Sequence, residues 1–360
     1  MQRPNALSID VAGDGARPVH SGNGTVRGEM VLRVRNLRVR FGAGPHIVDG
    51  VDLNLREGRM LCLVGESGSG KSLTALSLMR LLPANARLTA DEFAFSDAGA
   101  EVDLLSIEEV GLNAIRGDRV AMVFQEPMTA LNPVMTVGAQ IEESLRLHKR
   151  LSRQEARQRA LDMFRLVQIP APETRLDAFP HQLSGGMRQR VVIAMALVCR
   201  PAVLIADEPT TALDVTIQSQ ILRLIDQLRD ELGTAVLFIT HNLAVVAEIA
   251  DEVAVIYAGR IVERGLKTNI FANPMHPYTL ALFAATPRSE DRGRRLAAIG
   301  GQVPALSSMP AGCRFAPRCP FAVEPCRAND PPLREVEPGH DVACWRAPLE
   351  HHVMVKDQIA

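Results

Sequence analysis

The sequence predicts a layered α/β fold with a largely parallel sheet, because apolar runs of strand length alternate with long helical stretches. Three of these runs predict buried strands: "MLCLV" before a glycine-rich turn, "AVLIAD" and "TAVLFIT". The run "TIQSQILRLIDQLRDELG" predicts a helix that ends at Gly233, since glycine often terminates helices. Nearer the start, "VLRVRNLRVRF" alternates apolar and basic residues, which predicts a half-solvated strand.

These elements divide the chain of 360 residues into three predicted parts. Residues 1–28 are polar and lack periodicity, which predicts a disordered tail. Residues 29–270 carry the strand and helix signals of one α/β domain, with a helical insertion predicted at about 126–182. Residues 271–360 are rich in proline and arginine and have few strand signals, which predicts a separate, small and irregular C-terminal domain.

Composition argues against several classes of function. The net charge of -1 and the pI of about 6.8 indicate neither a nucleic-acid partner nor an anionic lipid surface. No apolar window is long enough to predict a membrane span, and no charged n-region precedes an apolar stretch as in a secretory signal. We therefore expect a cytosolic chain with reduced thiols.

A phosphate-binding loop is predicted by "GESGSGKS", which fits the pattern G-x-x-x-x-G-K-[ST] between a strand and a helix. Its glycines allow the backbone amides to point at phosphate oxygens, and the helix adds its positive end. Lys71 supplies charge at the β and γ phosphates, while the Ser72 hydroxyl can ligate Mg²⁺. The predicted ATP-binding residues of this loop are Gly65, Ser67, Gly68, Ser69, Gly70, Lys71 and Ser72.

A second part of the nucleotide site is predicted by "VLIADEP", an apolar strand with an acidic end. Asp207 ends the strand, where its carboxylate is expected to contact Mg²⁺ directly or through water. Glu208 comes one residue later and is the predicted general base that polarises the attacking water.

The stretch "LSGGMRQR" indicates more than a generic phosphate-binding enzyme. Ser184, Gly185 and Gly186 place a hydroxyl and amides before an amphipathic run, which predicts a second anion site at a helix N-terminus. One nucleotide does not need two such sites, but two chains arranged head to tail would each complete the other's site. This stretch resembles the signature motif of the ATP-binding cassette (ABC) ATPases.

The resemblance to ABC ATPases covers about residues 30–270, because further motifs follow in the family's order. Gln125 in "VFQEP" is similar to the Q-loop glutamine, Asp214 ends the D-loop-like "TTALD", and His241 in "ITHN" is similar to the switch histidine. The resemblance implies that Gln125 senses Mg²⁺ and the γ-phosphate, beside Ser72 and Asp207 as Mg²⁺ ligands. It also implies that His241 contacts the γ-phosphate and holds the attacking water and Glu208 in place.

The same resemblance implies where the rest of the nucleotide binds. Ser184, Gly185, Gly186 and Asp214 are expected to contact the ATP held by the opposite subunit. The family often stacks a tyrosine on adenine, and Phe41, about one strand before the loop, is the nearest match. Core packing is the alternative role for Phe41.

Two classes of cassette protein remain: a transporter motor, or a soluble ATPase acting on DNA or ribosomes. The chain has one phosphate-binding loop, no sustained heptads and no basic stripe, which favours the transporter motor. "NPMHPYTLALFAATP" then resembles the His-Pro-Tyr segment of oligopeptide and dipeptide importer ATPases. In physical terms, we interpret His276 and Tyr278 as part of a loop punctuated by Pro274 and Pro277.

The importer resemblance implies a peripheral protein on the cytoplasmic face of the membrane. It implies a second, related ATPase subunit, two permease subunits and an extracytoplasmic substrate-binding protein as partners, and no nucleic acid. Peptides are the expected cargo, with nickel, opines or sugars as alternatives within the family, because the permease and the binding protein select the substrate.

Cys313, Cys319, Cys326 and Cys344 cluster among prolines near the end of the chain. Disulfides are disfavoured in a reducing cytosol, and close C-x₂₋₄-C pairs typical of zinc sites do not occur among them. Wider spacing and the pair Cys319-Pro320 favour a structural [4Fe–4S] cluster, which the importer resemblance also implies. Zinc and no metal at all are the alternatives.

Overall fold

A computed structural model of the chain describes residues 28–97, 99–125, 130–211, 214–286 and 300–349. Except for residue 28, the tail predicted at residues 1–28 lies outside the described residues. No helix in these ranges is both long and apolar enough to cross a membrane.

The larger sheet has eight strands in the described residues, in the order β12-β13-β11-β10-β3-β9-β8-β7. Five neighbouring strands run parallel: β7 (Val120–Val123), β8 (Val203–Asp207), β9 (Ala235–Thr240), β3 (Met60–Val64) and β10 (Glu252–Tyr257). Three antiparallel strands extend one edge: β11 (Arg260–Leu266), β13 (His340–Val342) and β12 (Arg334–Glu337). The prediction of a largely parallel α/β sheet is confirmed.

The central strands are apolar throughout because side chains pack against both faces of the sheet. Along β3, Cys62 and Val64 pack into one hydrophobic cluster and Leu61 and Leu63 into the other. Strand residues alternate between the two faces, so a continuous apolar run is what a doubly covered strand requires.

A smaller antiparallel sheet contains β1 (Met30–Phe41), β2 (His46–Arg56), β4 (Ala86–Thr89), β5 (Glu92–Asp97) and β6 (Ala100–Asp103). In β1 the apolar residues Val34, Leu37 and Val39 are buried, while Arg33 and Arg38 are partly or fully exposed. The half-solvated strand predicted from the alternating sequence is thus confirmed.

Helices cover the faces of the larger sheet, and three of them lie between residues 137 and 175, within the stretch in which the insertion was predicted. They are α1 (Lys71–Leu78), α2 (Glu109–Ile115), α3 (Val137–Lys149), α4 (Arg153–Leu166), α5 (Pro172–Arg175), α6 (Gly185–Leu197), α7 (Val215–Leu232), α8 (Leu243–Ile249), α9 (Lys267–Ala272), α10 (Pro277–Ala285) and α11 (Glu324–Ala328). Helix α7 is capped by the Asp214 side chain and ends at Gly233 in the left-handed conformation, as predicted.

The C-terminal region is joined to the larger sheet, which the sequence did not predict. β13 pairs with β11, with Val342 opposite Glu263, so this region extends the sheet edge. The two strands of the C-terminal region, β12 and β13, are only four and three residues long, too short to give a periodic signal. The Glu263 carboxylate is fully buried and accepts hydrogen bonds from the backbone of Met275 and His276, and it contacts His340 Nε2 at 2.8 Å.

Candidate functional site

The glycine-rich loop joins β3 to α1 and has the backbone geometry that its sequence predicts. Gly68 and Gly70 have φ values of 77° and 102°, in the left-handed region that favours glycine. At Gly65, a Cβ would lie 2.3 Å from the backbone oxygen of Ile256 on the neighbouring strand. A side chain at Gly65 would therefore push the loop away from the sheet.

The side chain of Lys71 is folded under this loop. Its Nζ donates hydrogen bonds to the backbone oxygens of Gly65 at 2.8 Å and Glu66 at 3.0 Å. Burial lowers the pKa of Lys71, although the nearby carboxylates of Glu208 and Asp207 oppose the shift. The ammonium group is thus held against the backbone carbonyls of the loop.

Asp207 lies at the end of β8, beside the start of α1. Burial raises its pKa, while a hydrogen bond from Ser72 acts in the opposite direction. The side chain is only 4% exposed, and its Oδ1 atom has no hydrogen-bond partner among the described residues. A buried carboxylate oxygen without a partner, next to a serine hydroxyl, fits the oxygen ligands that Mg²⁺ prefers.

Three polar side chains converge on Glu208. His241 Nδ1 lies 3.1 Å from Oε1, while Thr211 Oγ1 donates at 2.9 Å and Gln125 Nε2 at 3.4 Å to Oε2. Burial raises the pKa of Glu208, but the interactions with His241, Thr211 and Lys71 together outweigh it, and the pKa lies below its usual value. The carboxylate is therefore ionised at neutral pH. Thr211 was not predicted; its signal was the position three residues after Glu208.

The backbone of Glu208 has a φ of 46°, which is uncommon for a residue with a side chain. Its amide nitrogen donates to the backbone oxygen of Ile239 on β9, so the sheet itself fixes this turn. Backbone strain of this kind is often found at functional sites.

A cavity of about 970 Å³ lies over the loop. One side is formed by Gly65–Gly68, Gln125, Glu208 and His241. The facing wall comes from the end of α10 and from residues 301–306 and 309 of the C-terminal region. Sequence reasoning missed this wall, because nothing in the pattern of these residues connects them with a loop more than two hundred positions away.

The remaining predicted ATP contacts lie elsewhere. Ser184 accepts a hydrogen bond from the Met187 amide at 3.3 Å and caps α6, and Asp214 caps α7 in the same way. Both side chains are exposed, and neither they nor Gly185 and Gly186 line the cavity of their own chain. Phe41 ends β1 half-exposed and does not line the cavity either, so its stacking role stays a prediction.

His276 and Tyr278 do more than occupy a proline-punctuated loop. The Nδ1 atom of His276 accepts the Tyr278 amide at 3.0 Å and caps α10. The Tyr278 hydroxyl accepts the Glu66 amide at 2.7 Å, in the glycine-rich loop. The interpretation as loop punctuation is incomplete, because the sequence could not show that both rings are buried.

The predicted iron–sulfur site is wrong. Cys313, Cys319, Cys326 and Cys344 border one small cavity, yet no three His, Cys, Asp or Glu residues of the described ranges form a group that could hold a metal ion. Burial raises the pKa of Cys313, Cys319 and Cys344 to about 11, which disfavours the thiolate that would bind metal. These cysteines act as small apolar side chains beside Phe315.

Two known families match the sequence. Residues 48–211 match the family described as "ABC transporter". Residues 262–326 match the family described as "Oligopeptide/dipeptide transporter, C-terminal region". The first match ends at Thr211, so it includes the loop, Asp207 and Glu208, and the second includes His276, Tyr278 and Arg318.

Similar proteins extend over nearly the whole chain. The "Probable peptide ABC transporter ATP-binding protein y4tR" of Sinorhizobium fredii is 52% identical over 326 residues, covering 89% of this chain and 96% of the relative. The "Oligopeptide transport ATP-binding protein OppD" of Escherichia coli is 48% identical, covering 89% and 94%. The "Dipeptide transport ATP-binding protein DppD" of Bacillus subtilis is 47% identical, covering 91% and 99%.

Solved structures share the fold of the first domain. The cassette MJ0796, solved as a dimer in a post-hydrolysis state with ADP and Pi, is 28% identical with a TM-score of 0.56, covering 66% of this chain and 98% of that one. The cbiO1 protein of Clostridium perfringens, part of the transporter complex cbiONQ, is also 28% identical with a TM-score of 0.56, covering 68% and 91%.

Proposed function

The chain belongs to the ABC transporter ATPases that carry an oligopeptide/dipeptide transporter C-terminal region, and we propose that it powers the import of oligopeptides or dipeptides. The observation that carries the proposal is the pairing of a complete nucleotide site with that C-terminal region in one chain. Peptides are preferred over nickel, opines or sugars because the similar proteins named above are peptide transport proteins.

In this proposal the loop Gly65–Ser72 holds the phosphates of ATP. The backbone amides of the loop would bind the phosphate oxygens. Lys71 Nζ, which donates to two loop carbonyls in this structure, would turn to the β and γ phosphates. Ser72 and Asp207 would hold Mg²⁺, with Gln125 at its edge, and the ion supplies positive charge against the phosphate oxygens.

Glu208 is the proposed general base. Its carboxylate would take a proton from water as the water oxygen attacks the γ phosphorus and the bond to the β-phosphate oxygen breaks. His241, at 3.1 Å from Glu208, would orient the water, and Thr211 would hold the second carboxylate oxygen. Gln125, also within reach of Glu208, would link the base to the Mg²⁺ site.

We further propose that the working unit contains two such ATPases. Ser184 and Asp214 are exposed and Gly186 is half-buried, all at helix starts outside the cavity of their own chain, where they can contact ATP held by a partner. A related ATPase, two permease subunits and an extracytoplasmic binding protein would complete the importer. The chain would then lie on the cytoplasmic face of the inner membrane, and its division near residue 270 would separate the cassette from the family-specific C-terminal part.

The variant Glu208→Gln tests the proposed chemistry in the assembled transporter. The amide keeps the size of the side chain but cannot accept the proton, so we expect ATP hydrolysis to fall by roughly 10²–10⁴-fold with little change in ATP affinity. Asp162→Asn, at an exposed position of α4, is the control for a carboxylate-to-amide change. Hydrolysis near the wild-type rate in Glu208→Gln would refute the assignment.

A further inference from the structure

The nucleotide cavity has a wall that the cassette motifs do not supply. Residues 301–306 of the C-terminal region face Gly65–Gly68 across this cavity. Arg318 connects the two sides: its Nε donates to the backbone oxygen of Gly300 at 2.8 Å, and its two terminal nitrogens donate to the Glu66 carboxylate at 2.7 and 3.0 Å. One guanidinium thus links the start of the wall to the phosphate-binding loop.

The arginine side of this contact is buried. The Arg318 side chain is 4% exposed and the Glu66 side chain 27%. The guanidinium also lies 5.7 Å from the ring centre of Tyr257 and 5.8 Å from that of Phe315, and it donates to the Tyr257 hydroxyl at 3.3 Å. The hydrogen bond to Glu66, above all, raises the pKa of Arg318. The bidentate geometry fixes the carboxylate in one orientation.

Glu66 is at a position where its charge matters. Its backbone oxygen accepts from Lys71 Nζ, its amide donates to Tyr278, and its side chain lines the cavity above the loop. A carboxylate beside a triphosphate repels it. Arg318 supplies the positive charge that offsets this carboxylate.

We propose that Arg318 of the C-terminal region is a positioning residue for ATP: it neutralises Glu66 and, through Gly300, holds this carboxylate against the wall at residues 301–306. This inference rests on the proposed ATP site at Gly65–Ser72. It means that the C-terminal region takes part in nucleotide binding, while the phosphate contacts themselves remain with the loop.

Binding of the fluorescent analogue mant-ATP to the full chain, with Mg²⁺, tests the proposal in a double-mutant cycle. Arg318→Ala leaves the Glu66 carboxylate without its main partner, and we expect the Kd to rise about tenfold. Glu66→Gln removes the charge and should bind at least as tightly as the wild type. The double variant should recover most of the affinity, because no unpaired carboxylate remains.

Arg314→Ala is the matched control, since this half-buried arginine links the C-terminal region to Asp49 and to the backbone oxygen of Ala258 rather than to Glu66. Adding Glu66→Gln to Arg314→Ala should not restore any mant-ATP affinity that Arg314→Ala loses. If Arg318→Ala does not fold, Arg318→Lys, which keeps the charge but loses the bidentate geometry, should raise the Kd by about threefold, less than loss of the charge would.

The outcomes separate the two proposals. Loss of mant-ATP binding in Lys71→Ala locates the analogue in the loop. If Lys71→Ala binds mant-ATP as tightly as the wild type, the proposed ATP site itself is contradicted. With that site intact, the role of Arg318 is refuted by wild-type affinity in Arg318→Ala. It is also refuted by a double variant as weak as Arg318→Ala, or by a Kd in Arg318→Lys raised tenfold or more.

Discussion

His276 makes the stability of the protein sensitive to mild acid. Its imidazole is 1% exposed, and its Nδ1 accepts the Tyr278 amide, so the ring is held in the neutral form. Burial lowers the pKa of His276 to about 4, and the nearby Glu263 carboxylate acts in the opposite direction without cancelling the effect. In the unfolded chain the same ring has the ordinary value of 6.5.

The sign follows from where protons bind. Below pH 6.5 the unfolded chain takes up a proton at His276 that the folded protein excludes. The contribution of His276 to stability is therefore fully present above this pH and declines as the pH falls towards the folded pKa of about 4. With these two pKa values, the His276 contribution to the free energy of unfolding falls by about 2 kcal/mol between about pH 7.5 and about pH 5.

Urea denaturation of the full chain across this pH range measures the effect. His276→Asn removes the titrating group but keeps a side-chain oxygen that can cap α10, so its pH dependence should be weaker by about 2 kcal/mol. The smaller side chain will also lower stability at neutral pH, which does not affect the slope. His181→Asn, at an exposed ring, serves as the control. Identical slopes for wild type and His276→Asn would refute the reasoning.

Two further predictions concern the partner site and the thiols. The isolated chain should hydrolyse ATP slowly, because Ser184 and Gly186 do not line the cavity of their own chain. Its specific activity should rise when the partner ATPase and the permeases are added. High activity that does not depend on protein concentration would contradict a shared site. In the folded chain, Cys313, Cys319 and Cys344 should react with iodoacetamide at neutral pH about a hundredfold more slowly than in urea, since burial raises their pKa from 9.0 to about 11. Mass spectrometry of labelled peptides measures this, and equal rates in both states would show that the thiols are accessible.

Much of the geometry of the proposed nucleotide site could be predicted because it is local. The loop needs glycine at Gly68 and Gly70 for left-handed backbone, and a buried strand must precede it. The same holds for Asp207 and Glu208, which follow a buried strand directly. Short-range constraints of this kind leave a pattern in the sequence that chemistry can interpret.

The parts that could not be predicted depend on contacts between distant positions. Glu66 and Arg318 are 252 residues apart, and neither residue type signals the pairing. The iron–sulfur prediction failed for a related reason: clustering along the chain puts thiols near one another, but burial and ligand geometry decide whether they bind metal.

A continuous path of hydrogen bonds connects the added strand β13 to the nucleotide loop. His340 contacts Glu263, which accepts the His276 amide; His276 accepts the Tyr278 amide, and the Tyr278 hydroxyl accepts the Glu66 amide. Each of these side chains, apart from Glu66, is at most 1% exposed. Removing the C-terminal region would therefore leave Glu263 and part of the sheet edge without partners, and the cassette would lose stability together with nucleotide binding. Point variants such as Arg318→Ala can separate these two losses, whereas truncation cannot.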